Sequence, residues 1–207
     1  MANLKETILN PILKGNPITV LVLGICSSLA VTVELKGAFV MALSVTAVTG
    51  LSSLVCSLLR KTIPNRVRII VQLVVVALMV ILVDQFLKAF EATYAIDKQL
   101  SVYIGLIITN CIVMGRIEAY ALGNSPVPSL LDGLSNGVGY GMILIVVAFF
   151  RELFGSGTLF GFQVIPDSFY AAGYVNNGLV ILPPFALILL GCIIWIHRSI
   201  DKDLQEK

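Results

Sequence analysis

Cys26 and Cys111 are the two side chains of this sequence best placed to do chemistry. Each lies near the middle of a short apolar run, flanked by small or hydrogen-bonding residues. Thiolates are the usual ligands of iron–sulfur centres, and a 2Fe–2S centre normally needs four of them. The pair is therefore predicted to provide half of such a site, with the other ligands coming from another chain or from Cys56 and Cys192.

Packing is the alternative role for a cysteine in an apolar helix, because a buried thiol behaves as a small, inert hydrophobic group. That interpretation is favoured for Cys56 and Cys192, whose neighbours are ordinary apolar residues. A disulfide framework is not expected, since its cysteines would lie in loops. His197 is the only histidine, which argues against a histidine-based zinc site or proton relay.

The elements that must position the cysteines are membrane helices. Of the 207 residues, 57% are hydrophobic and 13% are charged, whereas soluble domains average about 45–50% and about 25%. So few charges cannot keep a protein of this size in solution. We therefore predict an all-α membrane protein whose outer surface faces lipid. The formal net charge of +2 gives no reason to expect nucleic-acid binding.

Six apolar stretches predict six transmembrane helices in a single membrane domain that covers residues 1–207. A full span needs about 20 residues, and the first, fourth and fifth stretches are shorter than that. The first and fourth also carry polar or small residues at their centres, which predicts short or interrupted helices. The stretches are Ile18–Val33, Ala38–Leu59, Ile69–Leu87, Leu100–Met114, Val138–Phe150 and Leu179–His197.

The order of these stretches predicts an inverted repeat, with halves at about 1–95 and 96–207. Each half has a short cysteine-containing helix followed by two further hydrophobic helices. Three spans per half force the halves into opposite orientations, a common plan among transporters, whose broken helices meet near the bilayer midplane. We therefore expect Cys26 and Cys111 to face each other at mid-depth.

Basic residues predict that both termini lie in the cytoplasm. With that orientation the cytoplasmic side holds ten of the fourteen Lys and Arg residues, Lys5 and Lys14 among them, and the other side holds four. This asymmetry obeys the positive-inside rule. The long segment 153–178, rich in glycine and aromatic residues, is interpreted as an interfacial loop, with a re-entrant segment as the alternative.

Asp84 and Asp132 are the acidic candidates for an ion route, because an ionisable residue at membrane depth is costly and marks function by default. Asp84 has an alternative role as a partner of Lys88, one turn further on. Asp132 is expected in the loop before the fifth span, where it could cap a helix or form a turn with Gly133. Three further charged residues at span ends are interpreted as interfacial anchors: Glu34, Arg151 and Glu152.

Several runs resemble the D-subunit family of the sodium-translocating NADH:quinone oxidoreductases, over nearly the whole chain. The Thr-Asn-Cys run with its following Gly-Arg is specific to this family and its relatives, which are the E subunits and the membrane subunits of ferredoxin:NAD oxidoreductase complexes. The IPNRVR segment favours the D subunits. The runs are LGICSSLAVT (23–32), IPNRVRIIVQ (63–72), GLIITNCIVMGR (105–116), DG with NG (132–137) and FRELFGSG (150–157).

The resemblance implies a six-subunit complex of the bacterial inner membrane that passes electrons from NADH to ubiquinone and exports sodium. It implies that Cys26 and Cys111 hold a 2Fe–2S cluster together with two cysteines of the homologous E subunit. It also associates Asp84 and Asp132 with the sodium route. Flavins, NADH and quinone are then bound by other subunits, so no activity is expected from this chain alone.

Other functions remain open on the residues themselves. The runner-up is the equivalent subunit of an ion-pumping ferredoxin:NAD oxidoreductase complex. The repeat alone would also suit a secondary transporter, which needs polar groups for its substrate at the midplane, and a structural scaffold is a third class. Iron and sulfide analysis of the purified complex separates the redox subunit from the last two.

Overall fold

The computed structural model describes residues 11, 15–64, 66–94, 105–159, 162–163 and 178–200, and within these it is almost entirely helical. Residues Thr158–Leu159 (β1) and Phe162–Gln163 (β2) form a small antiparallel ladder. The helices are α1 (Ile25–Val31), α2 (Leu35–Leu59), α3 (Arg68–Tyr94), α4 (Cys111–Arg116), a π-helical turn (Ile117–Ala121), α5 (Pro126–Gly155), α6 (Gly178–Ile181) and α7 (Pro183–Ile200).

Four helices in the described ranges are long and apolar enough to cross a membrane: α2, residues Arg68–Phe86 of α3, α5 and α7. Apolar side chains cover the outside of α3 and α7, which is the reverse of a soluble protein. Those at least half exposed are Ile69, Ile70, Val74, Leu78, Ile81, Leu82, Phe86, Leu187, Ile188, Trp195, Ile196 and Ile200. The predicted all-α membrane fold is confirmed at this level.

The second and third predicted stretches overlap α2 and α3, whereas the first and fourth are broken and the sixth is divided at Leu182 between α6 and α7. The fifth was predicted too short. α5 has 30 residues and begins at Pro126. This start is favourable because proline suits the first position of a helix. Asp132 and Gly133 therefore lie inside α5 and not in a preceding loop, which corrects the expected cap or turn.

The core of the molecule is the close antiparallel packing of α2 against α5. Three glycines of α5, spaced by four residues, face α2: Gly133 lies against Thr49, Gly137 against Thr46 and Gly141 against Ala42. A Cβ at Gly137 would come within 2.5 Å of the Thr46 Cα. Glycine thus lets the two backbones approach, as is typical of membrane helices.

Arg151 and Glu152 are buried, so the expectation that they anchor the chain at the interface was wrong. Arg151 is 1% exposed, and its guanidinium donates to the carbonyl of Leu29 at 3.1 Å and the hydroxyl of Thr32 at 2.5 Å. It also donates to the carbonyls of Val180 and Ile181 in α6. Arg151 therefore joins the C-terminal ends of α1 and α6.

Some sequence-based predictions fall on residues outside the described ranges. These are the positions of Lys5 and Lys14, both chain termini, and most of segment 153–178. Within that segment, α5 continues to Gly155 and the β1–β2 ladder follows.

The oxygens of Glu152 lie close to this ladder and to α2, since they accept from Thr158 Oγ1 at 3.5 Å and from the backbone N–H of Leu35 at 2.5 Å.

Candidate functional site

The backbone directly before the helix that carries Cys26 forms turns and is irregular up to Gly24. Val22 has a φ of 56° and Gly24 a φ of 82°, both in the left-handed region. Glycine adopts that region without strain, whereas a β-branched residue such as valine is an outlier there. Such strain concentrates at functional sites. Helix α1 starts only after this break, with Gly24 as its N-cap, so Cys26 lies in its first turn.

A second break precedes Cys111. Residues 105–108 are helical, Thr109 and Asn110 leave the helix, and α4 restarts at Cys111. Asn110 caps the new helix, because its side-chain oxygen accepts from the backbone N–H of Ile112 at 3.1 Å. This is the usual role of asparagine at an N-cap. The break that the Thr-Asn-Cys run predicted is therefore present in the structure.

The two breaks touch each other. A Cβ at Gly24 would meet the Ile112 side chain at 2.6 Å, so the first break lies directly on the first turn of α4. The side-chain amide of Asn110 donates to Ser27 Oγ at 3.3 Å. Ser27 follows Cys26 and Asn110 precedes Cys111, so one hydrogen bond connects the two cysteine-bearing turns.

Both thiols of the pair are exposed on this chain. Cys26 and Cys111 lie in the first turns of α1 and α4, where backbone N–H groups lack helical partners and stabilise nearby negative charge. Cys192 is also exposed, but on α7, and Cys56 is fully buried in α2. Nowhere in the described ranges do three or more His, Cys, Asp or Glu side chains form a metal-binding group. Cys26 and Cys111 could therefore supply two of the four thiolates that a 2Fe–2S cluster normally needs, and the other two must come from elsewhere.

Asp132 is buried, and both of its carboxylate oxygens accept hydrogen bonds. Arg116 binds both of its carboxylate oxygens, through Nε to Oδ2 at 2.9 Å and through Nη2 to Oδ1 at 2.5 Å. Asn136 donates to Asp132 Oδ1 at 3.2 Å, and its own Oδ1 is buried without a partner among the described residues. Any cation that uses Asp132 must therefore displace Arg116 from at least one oxygen.

Asp84 is buried in α3, and its Oδ2 contacts the ammonium of Lys88 at 2.7 Å. This is the pairing that its sequence spacing predicted as the alternative to an ion-route role. The second oxygen, Oδ1, is buried and has no hydrogen-bond donor in the described part of the chain. An unpaired buried carboxylate oxygen is costly, so among the described residues this atom is an unusual acceptor that has no donor.

Sequence reasoning missed two residues near the breaks. Arg151 holds the far end of α1, and Tyr140 of α5 is fully buried with its hydroxyl 2.7 Å from Ser27 Oγ. The only available signals were the FRELFGSG run for Arg151 and the glycines on both sides of Tyr140. Neither signal identifies a contact, because the partners are distant in sequence.

Comparisons with known proteins give one consistent picture. Residues 4–194 match the model of the family described as Rnf-Nqr subunit, membrane protein. The chain is 56% identical to the D subunit of the Na(+)-translocating NADH-quinone reductase of Aeromonas salmonicida, over the whole chain and 98% of that relative. It is 55% identical to the protein of the same name from Haemophilus influenzae, over 98% of this chain and 97% of the relative.

Proposed function

The chain belongs to the Rnf-Nqr family of membrane subunits, and on that premise we propose that it is the D subunit of a sodium-translocating NADH:quinone oxidoreductase in a bacterial inner membrane. The observation that carries the proposal is its 55–56% identity to subunits of that name, which extends over essentially the full length of both chains. The chain is then part of an enzyme without oxidising NADH itself.

Cys26 and Cys111 are proposed to hold half of an intramembrane 2Fe–2S cluster. Both thiols are exposed, both lie in first helical turns, and their turns are joined by the Asn110–Ser27 hydrogen bond. Bound there, the cluster would accept and pass on one electron at a time. A site at mid-depth would divide the hydrocarbon core of about 30 Å into two steps of about 15 Å each.

The other two ligands are proposed to come from the homologous E subunit of the same six-subunit complex. Cys56 does not suit the alternative ligand set, because it is fully buried inside α2. The exposed position of the two thiols favours completion by a second chain. The same partner would cover part of the apolar surface described above. Flavins, NADH and quinone are assigned to the remaining subunits.

We further propose six spans in two inverted repeats, with both termini cytoplasmic. The arrangement is supported by two breaks at matching places, each before a cysteine-bearing helix, and by the antiparallel packing of α2 on α5. In an inverted repeat the second helix of each half would pair in this way. The α1 and α4 segments are individually too short to cross the membrane, so they would do so together with the residues before each break.

Sodium is proposed to pass close to Asp84 and Asp132. The support is the burial of both carboxylates and two oxygens that lack a donor among the described residues, Asp84 Oδ1 and the amide oxygen of Asn136. Carboxylate and amide oxygens are suitable ligands for a hard cation. At Asp132 the bidentate contact with Arg116 would have to open during transport, whereas one oxygen of Asp84 has no donor in the part of the chain that the structure describes.

The test of the proposed site replaces single cysteines by serine in the assembled complex. Hydroxyls are poor ligands for iron–sulfur centres, so Cys26→Ser and Cys111→Ser should each abolish the shared signal in anaerobic electron paramagnetic resonance spectra. Electron flow to quinone should stop, while the NADH-to-flavin step continues. Iron and sulfide content should fall by the amount of one cluster.

Two control variants are matched to the site residues. Cys192→Ser matches them in exposure and Cys56→Ser tests a fully buried thiol, and both should keep the cluster. A full iron signal in either Cys26→Ser or Cys111→Ser would refute the assignment. Equal loss in the controls would show that other cysteines hold the cluster, and a parent complex without a cluster would refute a redox role for this chain.

A further inference from the structure

Tyr140 lies where the two cysteine-bearing breaks meet. It belongs to α5, its side chain is completely buried, and its hydroxyl lies 2.7 Å from Ser27 Oγ. Its ring also lies on the first break, because a Cβ at Gly24 would come within 3.0 Å of Tyr140 Cε2. One side chain from a long membrane helix therefore contacts the start of α1 through both its ring and its hydroxyl.

Ser27 Oγ is the centre of the hydrogen bonds in this cluster. It lies 3.0 Å from the Gly24 carbonyl, to which it can donate, and it accepts from Asn110 Nδ2. Between Ser27 Oγ and the Tyr140 hydroxyl, either oxygen can be the donor. Gly24 and Asn110 are the N-caps of α1 and α4. The chain of bonds thus connects the N-caps of both cysteine-bearing helices to α5.

We propose that Tyr140 is a positioning residue for the redox centre, one that fixes the separation and orientation of Cys26 and Cys111 through Ser27 and Asn110. The inference rests on the proposed function, because it assumes that the two thiols are cluster ligands. Outer-shell hydrogen bonds orient the ligands of metal sites, and the surroundings of an iron–sulfur centre set its reduction potential. α5 provides a stable base for this role, since it packs closely on α2.

Tyr140→Phe removes the hydroxyl and keeps the ring, so it isolates the hydrogen bond from the packing. We expect the assembled complex to retain its iron while the reduction equilibrium of the centre changes by up to about tenfold, the limit that applies if the net energy of one neutral hydrogen bond acts in only one redox state. A tenfold change corresponds to about 59 mV for a one-electron centre. The measurement is a redox titration followed by electron paramagnetic resonance.

Tyr120→Phe is the matched control. The Tyr120 hydroxyl is buried but has no hydrogen-bond partner within the described ranges, so its removal should leave the potential unchanged. Ser27→Ala removes the other side of the same contact and should also shift the potential. The shift in the double variant Tyr140→Phe/Ser27→Ala should be smaller than the sum of the two single shifts, because both changes remove one shared bond.

The outcomes separate this inference from the function on which it rests. A parent-like potential in Tyr140→Phe, in a complex that loses its signal on Cys26→Ser, overturns the positioning role alone. Retention of the signal in Cys26→Ser overturns the site and the positioning role together. If Tyr140→Phe fails to assemble, Ser27→Ala decides by the same titration, and an unshifted potential there refutes the inference.

Discussion

Replacing Gly137 by alanine tests whether the contact between α2 and α5 is as close as the structure indicates. The new Cβ would lie 2.5 Å from the Thr46 Cα, whereas an ordinary contact begins at 3.4 Å. The two helices would therefore have to separate by about 1 Å, and a gap of that size forfeits up to about half of the energy of each contact that it opens. Overpacking of this kind costs about 1–3 kcal/mol.

Gly141→Ala tests another glycine of the contact between α5 and α2, and its neighbour Ala42 can also be replaced. Its Cβ would lie 2.9 Å from the Cβ of Ala42, and among the described residues the only other atom within 4 Å is the Ala42 Cα at 3.8 Å. Ala42→Gly removes the close atom, so the double variant Gly141→Ala/Ala42→Gly should recover the stability of the parent. Thr46→Gly should not rescue Gly137→Ala, because the clashing Cα remains.

The assay is the fraction of detergent-solubilised complex that stays assembled after heating, measured by size-exclusion chromatography. Gly191→Ala is the control, since no atom of the described residues lies within 4 Å of a Cβ at that position of α7, and it should behave as the parent. The reasoning is refuted if Gly137→Ala is as stable as Gly191→Ala. It is also refuted if Thr46→Gly restores the Gly137 variant.

Three further predictions concern Arg151, the two buried carboxylates and the membrane topology. Arg151→Met should prevent stable assembly, since it leaves buried oxygens of α1 and α6 without their donor. Arg151→Lys should recover only part of the yield of assembled complex. A Met variant with a parent-like yield would contradict this prediction. Asp84→Asn and Asp132→Asn should alter the dependence of turnover on sodium in complexes that assemble normally, and unchanged sodium saturation in both would remove the carboxylates from the route. A reporter active only in the cytoplasm should give signal when fused at Lys207, whereas signal from a reporter active only outside would reverse the topology.

The sequence by itself determined the class of the protein, most of its long helices and the two breaks. These features are local: an apolar run of about 20 residues must be helical in lipid, and small or polar residues within such a run mark an interruption. The same local pattern placed Cys26 and Cys111 in the middle of the interrupted runs, whereas the structure places them in the first turns of the helices that follow the breaks. The quoted runs also identified the family before any contact was known.

Tertiary structure decided the roles of residues whose local signals were ambiguous. Glycines such as Gly133 suggested a loop, whereas the structure uses them for close approach to α2. Local sequence cannot separate these cases, because the deciding atoms belong to another helix. Asp132 was misplaced for the same reason.

The contacts around the candidate site depended on tertiary structure most of all. Arg151 looked like an interfacial anchor because it ends an apolar stretch, yet its partners Leu29 and Thr32 lie 122 and 119 positions away in the sequence. Tyr140 and Ser27 are separated by 113 positions. Composition and periodicity describe how a residue relates to its own helix, and these side chains are defined by helices from the other half of the chain. Only the packing of the halves brings a buried donor to its acceptor.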